Sequence, residues 1–247
     1  NNTLLAAYRQ QADMQGYSST SAVNISSTTG DVAIGTLAAV DLIGGGATAT
    51  QTPGRVDLSS ILPASVNLTA FTGGITVAAS GELYPSASGN LSLIADQSVN
   101  LSSINGLASD GRPVFGMLDV DPSAMPSPVE PNVFVVNPAL ATAAAHDPVA
   151  LHGGDVVPAR IYSLNGDIVD GMLQTTGAYA GLYSGLVPVA IDKAALIQAG
   201  RDIVNLSFMG QNLRKSDVTR IVAGRDIYDT PLIRSTSAVI PALVPGG

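Results

Sequence analysis

Ala199-Gly200-Arg201-Asp202-Ile203 returns as Ala223-Gly224-Arg225-Asp226-Ile227, 24 positions on (224 − 200), and this repeat limits the fold more than any other feature of the chain. Each copy is preceded by apolar residues (Ile197 in one, Ile221 and Val222 in the other) and leads into alternation, Ile203-Val204-Asn205-Leu206 and Ile227-Tyr228. Weaker copies lie upstream. Gly30-Asp31-Val32 and Gly54-Arg55-Val56 are again 24 apart (54 − 30), and Gly74-Ile75-Thr76-Val77, Gly89-Asn90-Leu91 and Gly166-Asp167-Ile168 vary the phrase. A second phrase, valine-polar-leucine, accompanies it at Val40-Asp41-Leu42, Val66-Asn67-Leu68, Val99-Asn100-Leu101 and Val204-Asn205-Leu206. Glycine is expected to turn each corner by adopting positive φ. The residues after it alternate in and out with period two, which makes a half-buried strand. One coil cannot bury its apolar face alone, so coils must stack, and the expected fold is an all-β solenoid, a parallel β-helix.

The chain divides on this basis. Thr3 is expected to cap a short helix over Leu4–Met14, which makes 1–17 a capping piece at one end of the solenoid. Coils occupy 18–105, with the first near Val23-Asn24-Ile25. Residues 106–158 hold eight of the fifteen prolines, and proline cannot donate to a strand ladder. This interval is read as an insertion packing on the solenoid, with one strand-like run, Val133–Val136, and one helix-like run, Ala139–His146. Long irregular loops often carry function, so a binding surface is expected here. Coils resume over 159–235, with a looser stretch from Gly171 to Val189, and 236–247 is an exit segment or linker. Without the first and third pieces, about 175 residues remain, or about eight coils of ~20–24 residues and a rod about 40 Å long.

Composition excludes some functions. The formal charge is −8 and the pI about 4.4, which opposes binding to nucleic acid or to an anionic membrane. No apolar run is long enough to span a bilayer as a helix. Cysteine is absent, so no disulfide staples the fold. The chain opens Asn1-Asn2-Thr3 with no initiator methionine or signal-peptide pattern, and is expected to be a piece of something longer.

The candidate sites have structural readings. Gly30, Gly54, Gly166, Gly200, Asp202, Gly224 and Asp226 are structural turn positions. Asp31, Asp167, Asp202 and Asp226 follow or neighbour corner glycines, and their expected role is to bind turn amides. The Gly-Gly-x-Gly-x-Asp pattern of calcium-binding β-helices is absent, and Asp119-Val120-Asp121 lacks the rest of a calcium loop. Arg201 and Arg225, one coil apart, are expected to stack as an exposed ion-pair ladder with the aspartates. The two histidines, His146 and His152, have Asp147 and Asp155 near them but no zinc-ligand spacing, and are read as loop residues. Gly181-Leu182-Tyr183-Ser184-Gly185 places its serine one position late for a nucleophile elbow. Asn-x-Ser/Thr triplets at Asn24, Asn67, Asn90, Asn100 and Asn205 follow from alternation, with Asn and Ser facing outward. No catalytic, cofactor-binding or metal-ligating residue is expected.

The Ala-Gly-Arg-Asp-Ile phrases, with Tyr162-Ser163-Leu164-Asn165-Gly166-Asp167-Ile168 upstream, resemble the large filamentous-haemagglutinin-type exoproteins of bacterial two-partner secretion. The resemblance is clearest over 155–235 and looser over 20–105. It implies a right-handed β-helical shaft, exported through an outer-membrane transporter and displayed at the cell surface. The family's secretion module carries Asn-Pro-Asn-Gly, whereas this chain has Glu130-Pro131-Asn132-Val133. The resemblance therefore implies an internal or carboxy-terminal region, and its motif transfers no catalytic residue.

Three functions follow as alternatives. One is a non-catalytic structural and adhesive shaft that meets a receptor or glycan on a host or neighbouring cell, with lateral self-association open. Another is a polysaccharide-binding or polysaccharide-cleaving β-helix protein, which needs two acidic side chains and a cation along one groove. The third is a passive spacer presenting another domain.

Overall fold

Ser65-Val66-Asn67-Leu68-Thr69-Ala70 and Asn90-Leu91-Ser92-Leu93-Ile94-Ala95 set the local pattern: every second residue is fully buried and those between are half-buried. Strict alternation of this kind places one set of side chains on each face of a strand. The structure is a computed structural model that describes residues 17–35, 61–78, 81–101, 115–117, 119, 121–122, 149–173, 183–184, 189–230, 232–233 and 239–240. Within them the architecture is all-β with parallel sheets.

The chain visits three sheets in the same order on every pass. The first pass supplies β1 (Ala22–Ser27), β2 (Val32–Gly35) and β3 (Ile61–Leu62). The second supplies β4 (Ser65–Ala70), β5 (Ile75–Ala78) and β6 (Gly81–Leu83), and the third β7 (Asn90–Ala95), β8 (Val99–Leu101) and β9 (Phe115–Met117). The fourth runs through β10 (Ala159–Ser163) and β11 (Ile168–Asp170). It leaves by β12 (Met172–Leu173) and β13 (Tyr183–Ser184) before returning at β14 (Val189–Ile191). The fifth is β15 (Ala195–Ala199), β16 (Ile203–Val204) and β17 (Phe208–Gly210), and the sixth β18 (Arg220–Ala223) and β19 (Ile227–Tyr228). The first and second sheets have six strands and the third five, in the orders β1-β4-β7-β10-β15-β18, β2-β5-β8-β11-β16-β19 and β3-β6-β9-β14-β17. A small fourth sheet joins β12 and β13 to β20 (Leu232–Ile233) and β21 (Val239–Ile240) beside the stack.

Register stacks the inward residues in columns. One column is Ile25, Leu68, Leu93, Ile161, Ile197 and Ile221. A second is Val32, Ile75, Val99, Ile168, Ile203 and Ile227. The middle members are almost wholly buried, and each contributes about 1.5–3 kcal/mol of hydrophobic stabilisation. At the ends of the stack the columns open to solvent, with Ile25 at 38%, Ile221 at 36% and Ile227 at 59% exposure.

Several expectations change here. Six passes are present among the described residues, and five steps of ~4.8 Å separate their outermost strands by about 24 Å; the expected eight passes and about 40 Å also counted residues that lie outside the described ones. The pass length is not constant. Stacked positions are 43 residues apart between Asn24 and Asn67, 25 between Ser65 and Asn90, and 24 between Ala195 and Thr219. Arg160 lies over Ser92, and Ala195 over Ala159. Gly30 is therefore overlaid by Gly73, not by Gly54, which lies outside the described residues. The capping helix of 1–17, the runs Val133–Val136 and Ala139–His146, and His146 also lie outside them, apart from Tyr17. The proline-rich interval does contribute wall: β9 sits between β6 and β14 in the third sheet. Its three residues contain no proline, so the ladder there loses no donor.

Candidate functional site

The corners between the first and second sheets carry the predicted positions. Glycine is required there by close approach. A Cβ on Gly224 would lie 2.1 Å from the Gly200 carbonyl oxygen, one on Gly200 2.1 Å from that of Leu164, and one on Gly166 2.5 Å from the Ser98 nitrogen. Positive φ, the expected reason, occurs among the described glycines only at Gly116 and Gly171. The aspartates also act differently from expectation. Three of the four accept an amide of the following pass, not of their own turn: Asp31 from Gly74 at 2.8 Å, Asp167 from Asp202 at 3.0 Å, and Asp202 from Asp226 at 3.2 Å. The arginines reach the pass before their own. Arg225 grips Asp202 with Nε at 3.0 Å and Nη2 at 2.6 Å, and Arg201 Nε lies 3.5 Å from Asp167. Desolvation works against the Asp202 charge, but Arg225 and the Asp226 amide outweigh it and hold the carboxyl below its usual range. This is the expected exposed ion-pair ladder, and its work is to fix register between passes.

Asn205 departs from outward alternation. It is buried with φ 58°, donates from Nδ2 to Thr230 Oγ1 at 2.8 Å and accepts from the Thr230 amide at 2.6 Å. Asparagine tolerates this left-handed conformation better than other non-glycine residues. Asn24 and Asn67 do face out and are joined side chain to side chain at 2.8 Å.

A second cluster was not legible as a unit in the sequence. The chain re-enters the stack through residues 149–158, and a turn at 151–154 carries His152 inward. Asp192 and Lys193 occupy the corner between β14 and β15. His152, Asp192 and Lys193 are all buried. The Lys193 ammonium donates to Asp155 Oδ2 at 2.7 Å and to the Gly89 carbonyl at 2.8 Å. His152 Nδ1 is 3.2 Å from Asp155 Oδ2, and its Nε2 is 3.3 Å from Asp192 Oδ1. That second contact is out of line for a hydrogen bond. Both Asp192 carboxyl oxygens and His152 Nε2 are buried without a hydrogen-bond partner among the described residues. His152 is thus a loop residue, as expected, but a buried one that packs into the stack.

Burial dominates the electrostatics of this cluster. Desolvation, with Asp119 nearby, pushes the Asp192 carboxyl up to about 7. Desolvation and the Lys193 ammonium pull the His152 ring below its usual value, against the pull of Asp155. Asp155 is raised by desolvation but lowered further by Lys193 and the Val157 amide, so it stays below the carboxylate range. Lys193 is lowered by desolvation against the attraction of Asp155. Two carboxylates pushed apart in this way are the pattern of acid and base partners.

An open cleft of about 420 Å³ lies beside the cluster, bounded by Ser88, Asn90, Gly154, Asp155, Val157 and Lys193. Only Asp155 of the two carboxylates reaches it. The chain has no match among protein-family models, curated proteins or solved structures.

Proposed function

We propose that the three parallel sheets are the walls of a right-handed parallel β-helix, and that this segment is a structural and adhesive shaft of a secreted bacterial cell-surface exoprotein, without catalysis. The observation that carries this reading is the pair of aliphatic columns running through all six passes, Ile25 to Ile221 and Val32 to Ile227. A stack in which each pass contacts only its neighbours is extended along one axis and suits a shaft. The corner ladder of Asp167, Arg201, Asp202 and Arg225 supports the same reading, because every member is engaged by the adjacent pass. The proposed partners are a receptor or glycan of a host or neighbouring cell and, for the parent protein, an outer-membrane transporter.

Residues 123–148 are the natural test piece, since their replacement leaves every described strand in the sequence. The immobilised chain is expected to retain cells, and replacement of 123–148 by a glycine-serine linker to abolish retention. Retention that is absent in the unaltered chain favours a passive spacer, and retention indifferent to the replacement puts the adhesive surface outside 123–148. The cleft beside Asp155 and Lys193 favours a second reading, polysaccharide binding, although it offers one carboxylate where cleavage needs two. Turnover of polygalacturonate or another polysaccharide by the intact chain, lost in Lys193→Met, would replace the non-catalytic reading.

A further inference from the structure

His152 has a carboxylate at each ring nitrogen, and that geometry sets how many protons the three groups need. A neutral imidazole has one N–H. If Nδ1–H donates to Asp155, the Nε2 lone pair faces Asp192. If Nε2–H donates to Asp192, the Nδ1 lone pair faces Asp155. Either tautomer leaves one carboxylate against a lone pair, and a second proton is needed to remove the repulsion. Solvent offers little screening, because the His152 side chain is 1% exposed and that of Asp192 4%.

The surrounding charges divide on this demand: Asp119 and Asp155 add to it, and Lys193 opposes it in part. Lys193 is already committed to Asp155 and Gly89 and lies under the opposing influence of Arg160. Asp119, which accepts the Leu151 amide at 3.4 Å, adds negative charge near Asp192. Among the described residues no side chain donates to either Asp192 oxygen, and its own backbone amide offsets the desolvation only in part.

We propose that His152 and Asp192 share one proton as a latch, which fastens the returning segment 151–158 to the Asp192–Lys193 corner while the proton is held and loosens it when the proton leaves. Closed, the Asp192 hydroxyl donates to Nε2, Nδ1–H donates to Asp155, and Asp155 accepts from Lys193. This one chain of contacts joins the segment to the stack, and a small reorientation of the Asp192 carboxyl brings the 3.3 Å contact into line. Open, the buried site holds an unpaired negative charge, which is costly away from water. The depressed His152 and elevated Asp192 place the shared proton on the carboxyl and the transition near neutral pH. Since 151–158 leads directly into β10, the latch governs how firmly this entry segment is held against the stack. It does not depend on the adhesive reading.

Amide hydrogen exchange of the full chain tests the latch. The informative amides are Leu151, Gly153, Asp155 and Val157, read against Ile168 and Ile203 in the wall, so that the base catalysis common to all amides cancels. Between about pH 5 and about pH 9 the ratio is expected to rise at least tenfold in the wild type. It should stay flat in Asp192→Asn, whose amide is a permanent donor to Nε2. A flat wild-type ratio, or a variant that keeps the wild-type rise, would overturn the proposal. If the variant does not fold, carbon-detected titration of the Asp192 carboxyl in the unaltered chain decides. A midpoint in the ordinary aspartate range sinks the latch, and one near neutrality that coincides with the exchange transition supports it.

Discussion

Arg225 holds Asp202 through two parallel hydrogen bonds, 3.0 Å from Nε and 2.6 Å from Nη2, although the two residues belong to successive passes. Burial already excludes a one-residue slip, which would carry Ile203 and Ile227 out of their shared inward column, whereas a two-residue slip would keep the alternation and break this bond. Apolar burial draws the passes together, and this pair selects among the registers that burial alone would allow.

The Asp202 carboxyl is held below its usual range, so its contribution to stability is present above the unfolded-state value and is lost as pH falls through the folded one. The acid limb of the stability curve is therefore expected to be shallower in Asp202→Asn than in the wild type, with the difference confined to pH below about 4. Urea denaturation midpoints between pH 2 and pH 7, in roughly half-unit steps, check this. Parallel acid limbs would show that the pair contributes no linked stability.

Gly200→Ala and Gly224→Ala each force a methyl group to within 2.1 Å of a backbone carbonyl oxygen in the adjacent pass. The passes must separate, at a cost of about 2–4 kcal/mol. Gly154→Ala, with nothing within 4 Å of the added carbon, is expected to change stability by less than about 0.5 kcal/mol. Thermal unfolding of the three variants ranks them. A neutral Gly200→Ala would mean that the corners are looser than described.

Column position sets the cost of losing an aliphatic side chain. Ile203, wholly buried, is expected to lose about 2–5 kcal/mol on replacement by alanine. Ile227 lies directly opposite it but is 59% exposed, and should lose less than about 1 kcal/mol. Equal losses at the two positions, measured by denaturant titration, would show that something covers the last pass.

Asp192 carries a linkage of the opposite sign to Asp202. Its folded carboxyl is raised to about 7, so the stability associated with it is fully present below the unfolded-state value and declines as pH rises through 7. Asp192→Asn removes that decline. The variant should be more stable than the wild type at pH ~8, by as much as about 4 kcal/mol, with the advantage gone below pH ~4. Urea midpoints at those two values suffice, and a variant-minus-wild-type difference that does not grow between them contradicts the assignment.

Much of the wall was legible in the sequence because alternation is local: Val23-Asn24-Ile25, Val66-Asn67-Leu68 and Ala159–Ser163 declare their strands by the order of apolar and polar residues alone. The two Ala-Gly-Arg-Asp-Ile copies also declared their own stacking, Ile203 over Ile227, since nothing but one uniform pass separates them. Only the tertiary structure decided that Gly73, not Gly54, overlies Gly30, and that His152 meets Asp192. The physical reason is loop closure. Its entropy cost grows slowly with length, so a pass absorbs tens of extra residues without losing its place in the column, and spacing in the chain then ceases to report position in the stack.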